Sequence, residues 1–217
     1  MYYKVKPRDT LTKIARYFSI PVELILAHNP TIKDPSQIRV KQEILIPNID
    51  DVPILEFNFS TLNANDIIDR ARSAVNAGIR YKLGSGGTNP NLKLPTSNKF
   101  CDCSGFVCWT MRISRKTDIP FYRRFGGWIY TDSMVEDIKS NAGIFEKLNV
   151  PEPGCIVVFG AGEKIGHVGI ISSVRNGLMN KVIHCSSGND RKYSDSIQET
   201  SPEIFDRADA MWGRFVG

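Results

Sequence analysis

Between Pro153-Gly154 and Ser186 lie three short runs dense in Val and Ile: Cys155–Phe159 (CIVVF), His167–Ser172 (HVGIIS) and Lys181–Cys185 (KVIHC). This trio constrains the fold more than any other feature. Each run is too short for a helix of its own, and the turn-forming residues Gly160–Gly166 and Asn176-Gly177 separate them, so they are expected to form an antiparallel meander. Upstream, Ala64, Ile67, Ile68, Ala71, Ala74 and Val75 fall at helical spacing and stop at Gly78, which predicts an amphipathic helix. Residues 82–99 are rich in Gly, Asn and Pro and read as a loop. A second helix is expected to begin at Cys103 or Ser104 and run through Phe106, Val107 and Met111. A third is expected near Asp132–Lys139, while the rest of residues 114–150 shows no assignable period. Helices first and strands later predict an α+β domain.

Residues 1–48 form a separate pattern. Tyr2–Lys6 reads as a short strand, and Asp9 and Thr10 offer capping oxygens to a helix carrying Leu11, Ile14, Ala15 and Phe18. Pro21 suits the start of a second helix bearing Val22, Leu24, Ile25 and Leu26, and Asn29-Pro30 ends it. Glu43–Ile46, closed by Pro47, is the returning strand. So small a strand–helix–helix–strand unit buries little core and is marginal alone. Residues 49–62 (IDDVPILEFNFSTL) contain Pro53 and no periodicity. The expected division is therefore a unit at 1–48, a linker at 49–63 and a larger domain at 64–217.

Composition narrows the function. The 217 residues hold one good-sized domain or a medium one with a small appendage. No apolar run approaches the ~18–20 residues of a membrane-spanning helix, so no membrane insertion is expected. The N-terminus MYYKVKPRDT is polar and lacks the apolar core of a secretory signal, so synthesis in the cytoplasm without a visible leader is expected. The net charge of +5 is dispersed, and its densest patch (Arg112, Arg115, Lys116, Arg123, Arg124) is short and broken by apolar residues. That is too sparse for a nucleic-acid footprint but suits an acidic polymer such as a bacterial wall. The five cysteines, Cys101, Cys103, Cys108, Cys155 and Cys185, are odd in number and all lie beyond residue 100, which predicts free thiols rather than a disulfide scaffold.

Only three histidines occur, and two of them, His167 and His184, lie in the predicted strands, where neighbours can stand side by side on one face. Cys103 lies where loop gives way to helix, and the positive end of a helix dipole lowers a thiol's pKa toward thiolate. Its backbone N–H, unpaired in the first turn, could serve an oxyanion, and the small Ser104 and Gly105 are expected to leave room for a substrate chain. Together these features form a papain-like signature. His28 is expected to be idle at a helix end, and Trp109 and Trp128 to be core or cleft wall. Cys101, Cys108 and Cys185 are expected to be inert. A zinc site from Cys101, Cys103, His167 and His184 would need a C-x-C pair in place of the usual spacing, so neither metal nor cofactor is expected.

Two resemblances attach to these residues. The segment YKVKPRDTLTKIARYFSIPVELILAHNP, followed by IRVKQEILIP, resembles the lysin motif (LysM), departing at Arg8, where that family usually has Gly. The resemblance implies a βααβ fold that binds N-acetylglucosamine-containing glycans. The sugar would lie between the turn Arg8-Asp9-Thr10 and the loop Asn29–Ile32, which makes Asp9, Thr10, Asn29, Pro30 and Ile32 the glycan-binding candidates. The segments RYKLGSGG, DCSGFV, PGCIVVF, GHVGII and VIHCSSG resemble, in order, the NlpC-type cell-wall cysteine peptidases. By that resemblance Cys103 is the nucleophile, His167 the base and His184 the residue that orients it. Tyr81 would help line the site, and Asp102 and Ser104 would contact the free amine of a stem peptide. Cys155 replaces the family's Asp, Lys82-Leu83 replaces x-Trp, and residues 110–150 lack its usual P-R-T-S stretch. A membrane-lipid acyltransferase branch with this fold places His before Cys, the reverse of the order here.

The combined expectation is a LysM anchor holding a thiol endopeptidase on peptidoglycan, cutting stem peptides at the γ-D-glutamyl–diamino acid bond. Two alternatives stay open: an N-acetylmuramoyl-L-alanine amidase using the same three residues, and a non-catalytic wall-binding protein. Action at the wall or periplasm, even of a target cell, fits a phage lysis protein (endolysin) or an antibacterial effector, and an effector would travel with an immunity protein as partner.

Overall fold

The computed structural model describes residues 2–7, 9–18, 25–26, 28–32, 38–46, 62–162 and 165–217. Arg8, Pro21, Val22, Leu24, Pro47, the side chain of Ala15 and nearly all of the expected linker fall outside the described residues. The chain divides into two compact units, Met1–Asn58 and Phe59–Gly217.

In the first unit, β1 (Tyr2–Lys4) pairs antiparallel with β2 (Glu43–Leu45), with Tyr3 opposite Ile44. Helix α1 (Leu11–Tyr17) follows the Asp9-Thr10 turn, and Ile25, Leu26 and His28 are helical again. The core is Val5, Leu11, Ile14, Ile25, Ile44 and Ile46, with Tyr3, Phe18 and Ile32 packed against it. Among the described residues this core is small, so polar locks matter. Asn29 is buried, its amide donates to the carbonyls of Ile25 (2.7 Å) and Leu45 (2.8 Å), and its side-chain oxygen accepts from Leu45 N–H (2.8 Å). One side chain thus ties the second helical stretch to β2.

The second unit is α+β. Helix α2 (Ala64–Ser73) is capped by Asn63, whose side chain accepts from Asp66 N–H at 2.9 Å. It buries Ile67, Ile68 and Ala71, three residues of the predicted stripe. Two short strands, β3 (Arg80–Tyr81) and β4 (Phe100–Cys101), pair in parallel and bracket the 82–99 loop. Trp109 pins that loop by donating its indole N–H to Leu92 O at 2.8 Å. Helix α3 (Cys103–Thr110) is buried at every residue, and α4 (Thr131–Ser140) lies where the third helix was expected.

The main sheet adds β5 (Phe145–Leu148), β6 (Ile156–Phe159), β7 (His167–Arg175), β8 (Leu178–Cys185), β9 (Ile197–Thr200) and β10 (Met211–Phe215), with helix α5 (Ser187–Tyr193) between β8 and β9. Its order is β5-β10-β6-β7-β8-β9, antiparallel throughout. The expected meander is its centre, β6-β7-β8. Asn176 and Gly177 both take positive φ, +52° and +76°, the demand of a two-residue primed turn that joins β7 to β8 without splaying them. On one sheet face, Ile156, Val158, Val168, Ile170 and Ile183 pack with Phe106, Val107 and Trp109 of α3. The other face is covered by a smaller cluster including Val157, Phe159, Ile171, Val182 and Phe205.

Candidate active site

Asp102 folds the local chain around Cys103. It is the N-cap of α3, and its Oδ1 accepts from Gly105 N–H at 2.8 Å and from the Ser104 hydroxyl at 3.1 Å. Its Oδ2 accepts from Gly84 N–H (2.7 Å) and from both terminal nitrogens of Arg115 (3.1 Å each). Arg115 is itself buried and donates further to Ser104 Oγ (2.7 Å) and Ser85 O (3.2 Å). The carboxylate is therefore satisfied on both oxygens and neutralised within the fold. Asp102 and Ser104, expected to meet a substrate amine, are both buried and hold α3 in place. Sequence reasoning missed Arg115, which it read only as part of a dispersed basic patch.

Gly105 needs correction. A Cβ there would stand 2.6 Å from Ser85 O and 2.9 Å from the Gly86 carbonyl carbon, so the missing side chain admits the 85–87 backbone, not a substrate. That contact, with Asp102 N–H bound to Ser85 O at 3.0 Å, seats the first turn of α3.

So placed, Cys103 reaches the start of β7. Backbone hydrogen bonds from Val168 and Ser104 favour its ionised form, but burial outweighs them and pushes the thiol up to about 12. Burial thus works against the helix-dipole effect expected for this thiol. Tyr81 is half-buried near the sulfur, its phenol pushed up mainly by burial.

Strands β7 and β8 bring the two histidines together. His167 Nε2 lies 2.8 Å from His184 Nδ1, and His184 Nε2 lies 3.0 Å from Thr200 Oγ1. Phe205 stacks on His167 (centroids 5.2 Å apart, planes at 14°) and meets His184 edge-on at 5.6 Å. Gly169 sits against this cluster, since a Cβ there would lie 2.6 Å from Val182 Cγ1, 3.0 Å from the His184 Cβ and 3.1 Å from Phe205. Phe205 sits in a short 3-10 turn, Glu203–Phe205, and no spacing in the sequence signals its role. Burial pushes His167 down to about 3, with His184 adding to the effect, and pushes His184 down to about 4, again by burial. At neutral pH the pair carries no charge.

This burial has a signed consequence. An unfolded chain takes up protons on both histidines near pH 6.5 and the folded one does not until about 3–4, so stability is full above 6.5 and falls with pH through that window. The slope reaches about 1.4 kcal/mol per pH unit for each group. Thermal melts from pH 7 to 4.5 should drop more steeply for the wild type than for a His167→Gln/His184→Gln double variant. Parallel curves would contradict the assignment.

The other cysteines are buried and free. Cys185 contacts Cys101 O at 3.4 Å and Ser196 Oγ at 3.2 Å, and burial pushes Cys108 up to about 12 and Cys155 up to about 11. Among the described residues, no cluster of three or more His, Cys, Asp or Glu is arranged to hold a metal ion.

In the first unit, Asp9 Oδ2 accepts from Lys6 N–H (2.7 Å) and the Tyr3 hydroxyl (2.8 Å), bonds that hold its carboxyl below its ordinary range. Thr10 Oγ1 accepts from Lys13 N–H at 3.2 Å, in the manner of a helix cap. Pro30 is exposed and Ile32 half-buried. Asn29, expected as a sugar contact, is engaged by backbone on both ends of its amide and braces the chain just before Pro30 and Ile32.

Comparison with known families agrees with this geometry. Residues 3–47 match the LysM domain, and residues 94–189 match the CHAP domain. The chain thus carries a LysM domain followed by a CHAP domain at these matched residues. CHAP denotes a cysteine–histidine amidohydrolase/peptidase, a papain-like group related to NlpC, so the NlpC resemblance resolves to this neighbouring family. The CHAP match spans Asp102–Cys103 and both β-strand histidines. The chain is also similar to the endolysin of Bacillus phage PZA, at 55% identity over 42 residues, which is 19% of this chain and 16% of that protein. No helix among the described residues is long and apolar enough to cross a membrane.

Proposed function

We propose that this protein is a peptidoglycan hydrolase in which the CHAP domain cuts stem peptides through Cys103, His167 and His184 while the LysM domain holds the glycan. The observation that carries it is the hydrogen-bonded histidine pair on β7 and β8, with a thiol at the N-terminus of α3 set against the first residues of β7. Nε2 of His167 is engaged by His184, which leaves Nδ1 for the thiol. As the sulfur attacks the scissile carbonyl, the S–H proton passes to Nδ1 and the carbonyl oxygen gains the charge, accepted by the Cys103 backbone N–H. Collapse breaks the C–N bond, the leaving amine takes the proton from Nδ1, and a thioester remains. Water then attacks the thioester carbonyl, giving one proton to Nδ1; the C–S bond breaks, the carboxylic acid leaves, and Nδ1 returns the proton to the sulfur. Neutral partners at rest suit this sequence, because charge appears only as substrate covers the site.

On the glycan side, the turn at Asp9-Thr10 and the loop at Pro30–Ile32 would contribute chiefly backbone groups to the sugar. Tethering raises the effective substrate concentration, so a weak sugar module suffices. The bond proposed is γ-D-glutamyl–diamino acid. The closure of Asp102 and Ser104 by Arg115 favours a second reading, amidase cleavage between the lactyl group and L-alanine, because no carboxylate is left beside the nucleophile to select a free amine. Mass spectrometry of fragments released from purified sacculi separates the two: new N-terminal diamino acid supports the peptidase, and intact stem peptides freed from glycan support the amidase. If neither appears, the catalytic reading fails. The match to a phage endolysin favours a role in host lysis over that of an injected effector with an immunity partner. Residues 64–217, within the larger unit, are proposed to carry the chemistry, joined to the anchor through residues 49–63.

A further inference from the structure

We infer that Thr200 is a positioning residue that fixes the proton arrangement of both active-site histidines, an inference that rests on the catalytic reading above. Thr200 Oγ1 touches two groups: Ser201 O at 2.9 Å and His184 Nε2 at 3.0 Å. A carbonyl oxygen can only accept, so the single hydroxyl hydrogen goes to Ser201 O. The hydroxyl must then accept from His184, which places that ring's proton on Nε2. Its Nδ1 is left bare and can only accept, so the 2.8 Å contact with His167 requires a proton on His167 Nε2. His167 Nδ1 is therefore a free lone pair, the form a general base needs. One backbone carbonyl thus sets two rings through one hydroxyl.

Asn189 does not upset this assignment. Its amide nitrogen stands 3.5 Å from His184 Nε2, but its two hydrogens have acceptors in His184 O (3.2 Å) and Ser196 O (3.3 Å). Thr200 is also well founded structurally, since it lies in β9 opposite Val182, within the ladder whose register puts His184 beside Gln198. A β-branched replacement keeps that strand while deleting only the hydroxyl.

The test is Thr200→Val with Thr200→Ser as rescue, each read by turnover on sacculi and by nitrogen-15 NMR of the histidine rings. Thr200→Val should lower kcat about ten- to a hundredfold with KM unchanged, less than the ~10⁴ of a wholly inverted tautomer, because Phe205 and β8 still hold the ring. Thr200→Ser should recover most of the loss. In the wild type, both rings should carry the neutral-form proton on Nε2, and in Thr200→Val His184 should become a tautomer mixture. Wild-type His184 protonated on Nδ1, or an unchanged tautomer and kcat in Thr200→Val, would overturn the inference. A wild type that hydrolyses nothing would instead overturn the catalytic reading, with the NMR arm still deciding the role of Thr200.

Discussion

Cys103→Ala is expected to lower release of fragments from purified sacculi by about a thousandfold or more, the loss seen when a nucleophile is removed and only binding and oxyanion donors remain. Binding of the variant to sacculi, measured by cosedimentation, should be unchanged, because the LysM domain has its own core and contains none of these groups. Alanine should also be tolerated structurally. The N-cap bonds of α3 come from Asp102 and involve Ser104 and Gly105, not the thiol. Circular dichroism should therefore report a folded protein. Turnover within tenfold of wild type would remove Cys103 from the mechanism, and a loss of sacculus binding would show that the two units do not act separately. The neutral resting thiol adds a check: labelling by iodoacetamide at pH 7 should be slow compared with a free cysteine, and a substrate-mimicking acyl electrophile should react faster.

Arg115→Leu should have the largest effect on stability. It removes the cation from a pair in which both partners are almost wholly inaccessible, the side chains being 6% and 2% exposed, and strands the Asp102 carboxylate. Breaking a buried pair on one side costs about 3–5 kcal/mol, which for a domain of this size lowers Tm by roughly 6–20 °C. Activity should fall with it, since the same carboxylate holds Gly84 N–H and Gly105 N–H around the nucleophile. Arg115→Lys keeps the charge but loses the planar fork that spans Asp102, Ser104 and Ser85, so it should fall between. A melt within 2 °C of wild type for Arg115→Leu would mean that the pair contributes nothing, and a shift for Lys equal to that for Leu would mean that charge is irrelevant.

The parts legible in the sequence share one property: the signal is local. The stripe Ile67, Ile68, Ala71 sits on one helix and points one way, and the β6-β7-β8 meander announces itself through Val/Ile runs and an Asn-Gly turn. The histidine pairing followed from those strands being neighbours. What escaped depends on distant chain segments. Arg115 is thirteen positions from Asp102 and reaches it only because the chain reverses after α3. Phe205 covers His167 from a turn whose sequence, Glu203–Phe205, has no period at all. Strands β5 and β10 were invisible because Phe145–Leu148 is half charged and Met211–Phe215 carries a glycine and an arginine, so neither shows clean alternation. Gly105 was read with the right size and the wrong neighbour, since smallness in a sequence does not say which chain will occupy the space.

The strand order β5-β10-β6 bears on how the protein is made. Strand β10 is interior, with Trp212 facing Leu148 on one side and Val157 on the other, yet it follows every other element of the sheet in the chain. During vectorial synthesis β6, β7 and β8 can pair as they emerge, but β5 must wait unpartnered until residues 211–215 leave the ribosome and slot in beside it. A nascent chain short of residue 211 would therefore present two unpaired strand edges, that of β5 and the outer edge of β6, a hazard that closes only when β10 bridges them.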